Sequence, residues 1–299
     1  MWRSLSLGFG ALWLSGCSVL SSGTPPISPS VTPPPVVVKR LPKIGLALGG
    51  GAARGFAHVG VIQALEEAGI KPDLVVGTSA GSLVAAIYAS GKTGAQLQTI
   101  SENMEEAALT DWTLPLFSRG MLRGDALARY VSGQVGGKPI EAMPMPLGIV
   151  ATDLNSGRGV LFARGDTALA VRASSAVPAV FQPVKIGTRE YVDGGLVAPV
   201  PVRYARQMGA ELVIAVDISS APESNPASGS LEILLQTFSI MSKSINTFEL
   251  RDADVVVRPA LGGVASADFA SKRQSIEAGR AAMRALMPQL KAAMAQKSQ

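Results

Sequence analysis

Histidine and cysteine are almost missing from this chain, which holds one of each, His58 and Cys17. A Ser–His–Asp triad is therefore confined to His58, and one cysteine cannot close an intramolecular disulfide. A metal site built on His and Cys is excluded, because only carboxylates remain as ligands; no metal and no cofactor is expected. Aromatic residues are few, and a net charge of +5 comes without a block of Lys or Arg. No nucleic-acid surface is expected from that pattern, and a mild preference for an anionic lipid surface accounts for the charge equally well. The N-terminal apolar stretch Leu5–Leu14 is too short to span a bilayer. Internal repeats are absent, and no second domain is evident.

Glycine, in contrast, is abundant and clustered. Residues 43–87 read as strand, glycine turn, helix, strand, tight turn and helix. Ile44–Leu48 is a short apolar run bounded by glycine, the pattern of a buried parallel strand. Gly49, Gly50 and Gly51 let the backbone turn sharply with its N–H groups open to a ligand. Val59, Ile62 and Leu65, with Ala64 and Ala68, predict a helix from Phe56 that stops at Gly69 and Pro72. Leu74–Val76 predicts a second strand, and Gly77-Thr78-Ser79-Ala80-Gly81 follows it directly.

Gly77-x-Ser79-x-Gly81 between a strand and a helix is a nucleophile-elbow pattern. Small residues permit a strained turn that lifts the serine hydroxyl, and the helix behind it aims its positive end at any anion formed there. The competing reading is a glycine-flanked serine that merely caps a helix. A serine nucleophile needs a base. His58 lies on the flank of the glycine turn and is expected to be structural, hydrogen-bonded near that turn. The base is then a carboxylate, and Tyr191-Val192-Asp193-Gly194-Gly195 offers one at a strand end, although an Asp-Gly pair alone is most often a plain turn.

Together, Gly49–Gly55, Gly77–Gly81 and Asp193-Gly194-Gly195 resemble the patatin-like phospholipases. The likeness is greatest to the bacterial branch similar to the catalytic domain of neuropathy target esterase. It runs from about Lys43 past Ala215 and includes Ala173-Ser174-Ser175-Ala176-Val177-Pro178-Ala179. It implies a three-layer α/β fold, with a mainly parallel central sheet and helices on both faces. It also implies Ser79 as nucleophile, Asp193 as its partner, Gly49, Gly50 and Gly51 as the oxyanion hole, and Arg54 as the basic residue of the glycine motif. Gly77, Gly81, Gly194 and Gly195 complete the motifs. One departure stands out: counting back from Arg54-Gly55, the third glycine of that motif is Ala52. The activity implied is two-step acyl transfer to water from a phospholipid or lysophospholipid ester.

At the N-terminus, Arg3 and the apolar stretch lead to Leu14-Ser15-Gly16-Cys17, which resembles a bacterial lipoprotein signal with Cys17 as the lipidated residue. Residues 1–16 are then a signal peptide, 17–42 a Ser/Pro-rich tether and 43–299 the catalytic domain. Ser18 after the cysteine resembles sorting to an outer membrane, with the domain facing the periplasm. Further along, the sequence predicts helices at 95–110, 126–135 (capped by Asp125), a helix capped by Asp166, 200–208, 231–250 and 272–295. Strands are predicted at Leu147–Ala151, Val160–Ala163, Glu211–Val216 and Val255–Val257, and a hairpin at Val184–Ile186 and Glu190–Val192. Trp112, Leu114, Leu116 and Phe117 form an apolar cluster, read either as core packing or as a flap over an acyl channel.

Three rivals are weighed against this reading. Gly49, Gly51 and Gly55 loosely match a dinucleotide-binding turn, but the second strand then lacks the terminal acid that would hold a ribose. An acyltransferase or thioesterase would use the same dyad. A membrane-anchored binding domain would keep the fold without turnover.

Overall fold

A computed structural model describes residues 40–111, 119–219, 229–264 and 268–298. The expected signal peptide and Cys17, the tether up to residue 39, the Trp112–Phe117 cluster and most of the 221–230 loop lie outside those residues.

The chain opens with β1 (Ile44–Leu48), α1 (Ala57–Glu67), β2 (Leu74–Thr78), α2 (Ala80–Ala89) and α3 (Gly94–Glu102). Next come β3 (Gly120–Leu122), α4 (Asp125–Val135), β4 (Leu147–Asp153), β5 (Gly159–Phe162) and α5 (Thr167–Ser174). The short strands β6 (Ala179–Phe181), β7 (Val184–Ile186) and β8 (Arg189–Asp193) follow. The rest is α6 (Val202–Gln207), β9 (Leu212–Val216), α7 (Ser230–Glu249), β10 (Val255–Val257) and α8 (Lys272–Lys297).

The central sheet has the order β10-β9-β1-β2-β4-β8-β7, with β5 paired to β4 beside that path. From β10 to β4 every pairing is parallel, whereas β5, β7 and β8 run against their neighbours. The sheet is thus mixed but mostly parallel. Its central strands β1, β2 and β9 are buried along their whole length. That requires cover on both faces and explains why they read as unbroken apolar runs.

Alternation along β1 shows the two layers. Leu46 and Leu48 pack with Val59 and Ile62 of α1, Ala85 of α2 and Ile276 and Met283 of α8. Ala47 faces the other way, with Val202 and Ala205 of α6 and Val213 of β9. Fully buried side chains such as Leu46, Ile62 and Ile276 each contribute about 1.5–3 kcal/mol. The helices α1 and α8 cross at Gly60 and Gly279, where a Cβ would lie 1.8 Å from the Ile276 carbonyl and 1.9 Å from the Ala57 carbonyl.

Two sequence expectations change, and one feature is new. The helix expected over 95–110 ends at Glu102, and a separate turn covers Glu106–Ala108. The cap of α4 is Gly124 rather than Asp125; its amide and that of Ala126 donate to the carboxylate of Asp111, at 2.7 and 3.0 Å. A two-stranded parallel pair, β3 with β6, was not anticipated.

Candidate active site

β4 brings the two candidate catalytic residues together. Along one edge of β4, β5 pairs continuously from Ile149 to Thr152. A strand has two edges, so β2 and β8 must share the other. There Val150 pairs with Thr78, the last residue of β2, and the next residue, Ala151, pairs with Asp193, the last of β8. The two strands run in opposite directions and meet end to end. Ser79 leaves one end and Asp193 closes the other, so the register of a single strand places serine beside carboxylate.

Ser79 stands between β2 and α2 with φ 52° and ψ −123°. A non-glycine residue in that region carries strain of about 1–3 kcal/mol, a cost typical of functional turns. Tight packing enforces it. A Cβ on Gly77 would lie 2.4 Å from the Gly81 carbonyl, and one on Gly81 would lie 2.1 Å from the Leu48 carbonyl. The elbow glycines are therefore required by backbone approaching backbone. Above them Gly50 faces the serine, its ideal Cβ position 3.1 Å from Ser79 Cβ.

Asp193 is buried, and Oδ1 accepts the Gly195 N–H at 2.7 Å. Its backbone carbonyl accepts from Thr152 Oγ1 at 2.8 Å, and its N–H donates to the Ala176 carbonyl at 3.0 Å. Burial drives its pKa from 3.8 up to about 6, against the lowering influence of the Ser79 hydroxyl and the Gly195 amide. Oδ2 is buried and makes no hydrogen bond of full geometry. The Ser79 hydroxyl is close enough to the carboxyl to lower its pKa by hydrogen bonding. A carboxylate so placed is a stronger base than an exposed one.

His58 is fully buried, with Nε2–H donating to the Gly49 carbonyl at 2.8 Å. Burial lowers its pKa to about 4 and keeps it neutral. It braces the back of the glycine turn, as expected of a structural residue.

The glycine turn itself departs from expectation. The Gly49 amide donates to the Val216 carbonyl at 3.1 Å, and the Gly50 amide to the Pro199 carbonyl at 2.9 Å. The Arg54 amide donates to the Gly51 carbonyl. Those three amides, of residues expected at the oxyanion hole, are already engaged by the protein. The amides of Gly51, Ala52 and Ala53 precede that of Arg54, the first to bond within the helical turn Ala52–Phe56, so they have no acceptor inside that turn. Ala52, at φ 49°, holds the left-handed conformation that the missing glycine would adopt freely. The Arg54 guanidinium is buried, and burial lowers its pKa to about 10 while Asp217 opposes that shift.

Ser79 opens onto an apolar cavity of about 280 Å³. Ala52, Ala53 and Gly55 border it beside Ala80, and successive turns of α2 line it through Leu83, Val84 and Ile87. Phe56 and Phe269 close one wall edge to face, their centroids 5.9 Å apart. A second groove of about 380 Å³ lies between Glu67 and Glu102. Both of those carboxylates are ion-paired, with Arg284 and Arg273. Among the described residues no cluster of His, Cys, Asp and Glu is arranged to hold a metal ion.

One contact of Ser79 was not legible in the sequence. Ser174, at the end of α5, receives the Ser79 N–H on its hydroxyl at 2.9 Å. Only its place in the Ala173–Ala179 block hinted at a role.

The sequence profile of the patatin-like phospholipase family matches residues 46–206. An uncharacterised NTE family protein of Mycobacterium tuberculosis is 37% identical over 186 residues, covering 62% of this chain and 51% of that protein. Mouse patatin-like phospholipase domain-containing protein 6 is 35% identical over 191 residues, 61% of this chain and 14% of that protein. The chain thus spans about half the length of the mycobacterial relative. Among solved structures, VipD from Legionella pneumophila superposes with a TM-score of 0.57 at 14% identity, over 84% of this chain and 67% of that one. That likeness bears on the fold alone.

Proposed function

The chain belongs to the patatin-like phospholipase family, and from that premise we propose that it is a serine lipid acyl hydrolase working through a Ser79–Asp193 dyad. The observation that carries the proposal is the end-to-end meeting of β2 and β8 on β4, at the mouth of an apolar cavity. Asp193 takes the proton from Ser79 Oγ as that oxygen attacks the ester carbonyl. The tetrahedral oxyanion is met by the open amides of the turn at Gly51, Ala52 and Ala53, with the amide of Ala80 at the head of α2. Such donors are worth about 3–4 kcal/mol each in measured cases. Collapse expels the alcohol, which leaves with the proton held by Asp193. Water then attacks the acyl-serine with Asp193 again as base, and the fatty acid departs.

Burial of Asp193 supports this assignment, because a base near pKa 6 remains ionised at neutral pH yet holds a proton better than an exposed carboxylate. The cavity supports an acyl chain as the group transferred, with phospholipid or lysophospholipid as the donor. Anchoring through a lipidated Cys17, outside the described residues, would bring the site to a membrane surface facing the periplasm. Loss of membrane fractionation in Cys17→Ala tests that part.

Catalysis is tested by fatty acid release from phospholipid and lysophospholipid vesicles, comparing the full chain with Ser79→Ala, alongside fluorophosphonate labelling. Release and labelling that both depend on Ser79 are expected. Labelling without release into water would redirect the assignment to acyl transfer or thioester cleavage. Absence of both would leave an anchored binding domain.

A further inference from the structure

Resting on the dyad reading, the geometry points to Ser174 as a positioning residue that, with the Ala176 carbonyl, holds both members of the dyad from one segment. Ser174 ends α5 and has no exposed surface. Its hydroxyl accepts the Ser79 N–H at 2.9 Å and donates to the Val150 carbonyl at 2.6 Å. Two residues later, the Ala176 carbonyl accepts the Asp193 N–H at 3.0 Å.

The need for the hydroxyl follows from the elbow. At Thr78 the ladder between β2 and β4 stops, because the chain turns away into α2. The positive φ of Ser79 aims its N–H outside the helix that follows, where no intrahelical acceptor exists. Val150 is the last β4 residue paired with β2 and sits at the seam where β8 takes over. A buried N–H or carbonyl left without a partner costs about 1–3 kcal/mol. Ser174 is interposed between these two groups and relays one bond into the other, extending the ladder by a side-chain rung. That rung sets the direction of the Ser79 backbone, and hence of Oγ, relative to the carboxylate held from the same segment. Ser174 touches no reacting atom. Its effect passes through the orientation of Ser79.

Three substitutions separate positioning from simple support. Ser174→Ala removes the relay. Ser174→Cys keeps the volume but bonds weakly, thiols being poor donors and acceptors that tolerate burial. Ser174→Thr restores a hydroxyl. Each is assayed in the full chain with a short, soluble p-nitrophenyl ester, for kcat and KM separately, with the fluorophosphonate labelling rate measured beside urea stability. Misplacement of a reacting group by about 1 Å costs about 100-fold, so Ser174→Ala should lower kcat and labelling rate by about that factor. KM should stay within about twofold, because the cavity walls are untouched. Ser174→Cys should fall between, and Ser174→Thr should recover part of the loss.

Folded Ala or Cys variants with kcat within about threefold of wild type would overturn the inference. So would a loss confined to KM. If Ser174→Ala does not fold, the Cys and Thr pair decides alone. Wild-type protein that is neither labelled nor active would instead remove the dyad reading itself, an outcome readily told apart from labelled wild type with indifferent Ser174 variants.

Discussion

Replacing Asp193 with asparagine should make the protein more stable at neutral pH. Asp193 is buried and its carboxyl titrates at about 6 instead of 3.8. In the folded state the protonated form is therefore favoured. The stability this confers is complete below pH 3.8 and is lost as pH rises through 6. Ionising the group in place at pH 8 costs about 3 kcal/mol, at about 1.4 kcal/mol per tenfold change in proton affinity. In Asp193→Asn the amide oxygen would keep the acceptor for the Gly195 N–H, and the side chain would never ionise. The stability difference between that variant and wild type should thus grow by about 2–3 kcal/mol in favour of the variant between pH 4 and pH 8. Urea denaturation of both proteins at the two pH values measures it. Other groups, His58 among them, titrate equally in both proteins and cancel. The same substitution should lower kcat by at least about 10³-fold, because a general base alone contributes about 10²–10⁴. A stability difference that does not change with pH would refute the claim that Asp193 is buried as an ionised base. A gain would identify the site as one where stability is sacrificed for function.

Wild-type protein should lose about 3 kcal/mol between pH 6.5 and pH 4 on account of His58, whose lowered pKa gives stability that is present above 6.5 and lost on acidification. His58→Gln, which can still donate to the Gly49 carbonyl, should remove that dependence in urea titrations and keep at least about a tenth of the activity if His58 is not the base. Gly50→Ala should remain folded but label with fluorophosphonate at least about tenfold more slowly, its Cβ pressing on Ser79 Cβ at 3.1 Å. Gly81→Ala should yield no soluble folded protein, its Cβ falling on the Leu48 carbonyl. Along α2 the cavity extends from Ser79 to Ile87, about 12 Å at 1.5 Å per residue. Leu83 stands about 6 Å along it. An extended chain of carbons bonded at about 1.52 Å advances about 1.25 Å per carbon. Leu83→Trp should therefore spare acetyl and butyryl esters but cut kcat/KM for decanoyl esters by at least about tenfold; an unchanged chain-length profile would place the acyl chain elsewhere.

Local order was largely readable from the residues alone. Short apolar runs marked β1, β9 and β10, because a strand buried on both faces must be continuous in hydrophobicity. Gly77 and Gly81 announced the elbow, because only glycine fits where backbone meets backbone at 2.4 and 2.1 Å. Asp166 was legible as a cap, and its carboxylate accepts the Leu169 N–H at 2.9 Å. Each of these signals is written within a few positions along the chain, although the contact that demands Gly81 is made with Leu48 of β1.

What the tertiary structure decided lay between distant segments. Unlike the equally short β10, the strands β3 and β6 left no readable signal, and they exist because each pairs with the other. Asp111 caps α4 from outside the helix, so the nearer Asp125 drew the sequence reading away from it. Ser79 and Asp193 meet through the register of β4. The Gly49 and Gly50 amides are engaged only because Val216 and Pro199 arrive beside them. A glycine-rich turn announces exposed N–H groups, but which of them stay open depends on acceptors that fold in from elsewhere. The motif residues were therefore written in the sequence, while the hydrogen-bond accounts of the amides around them were settled by packing.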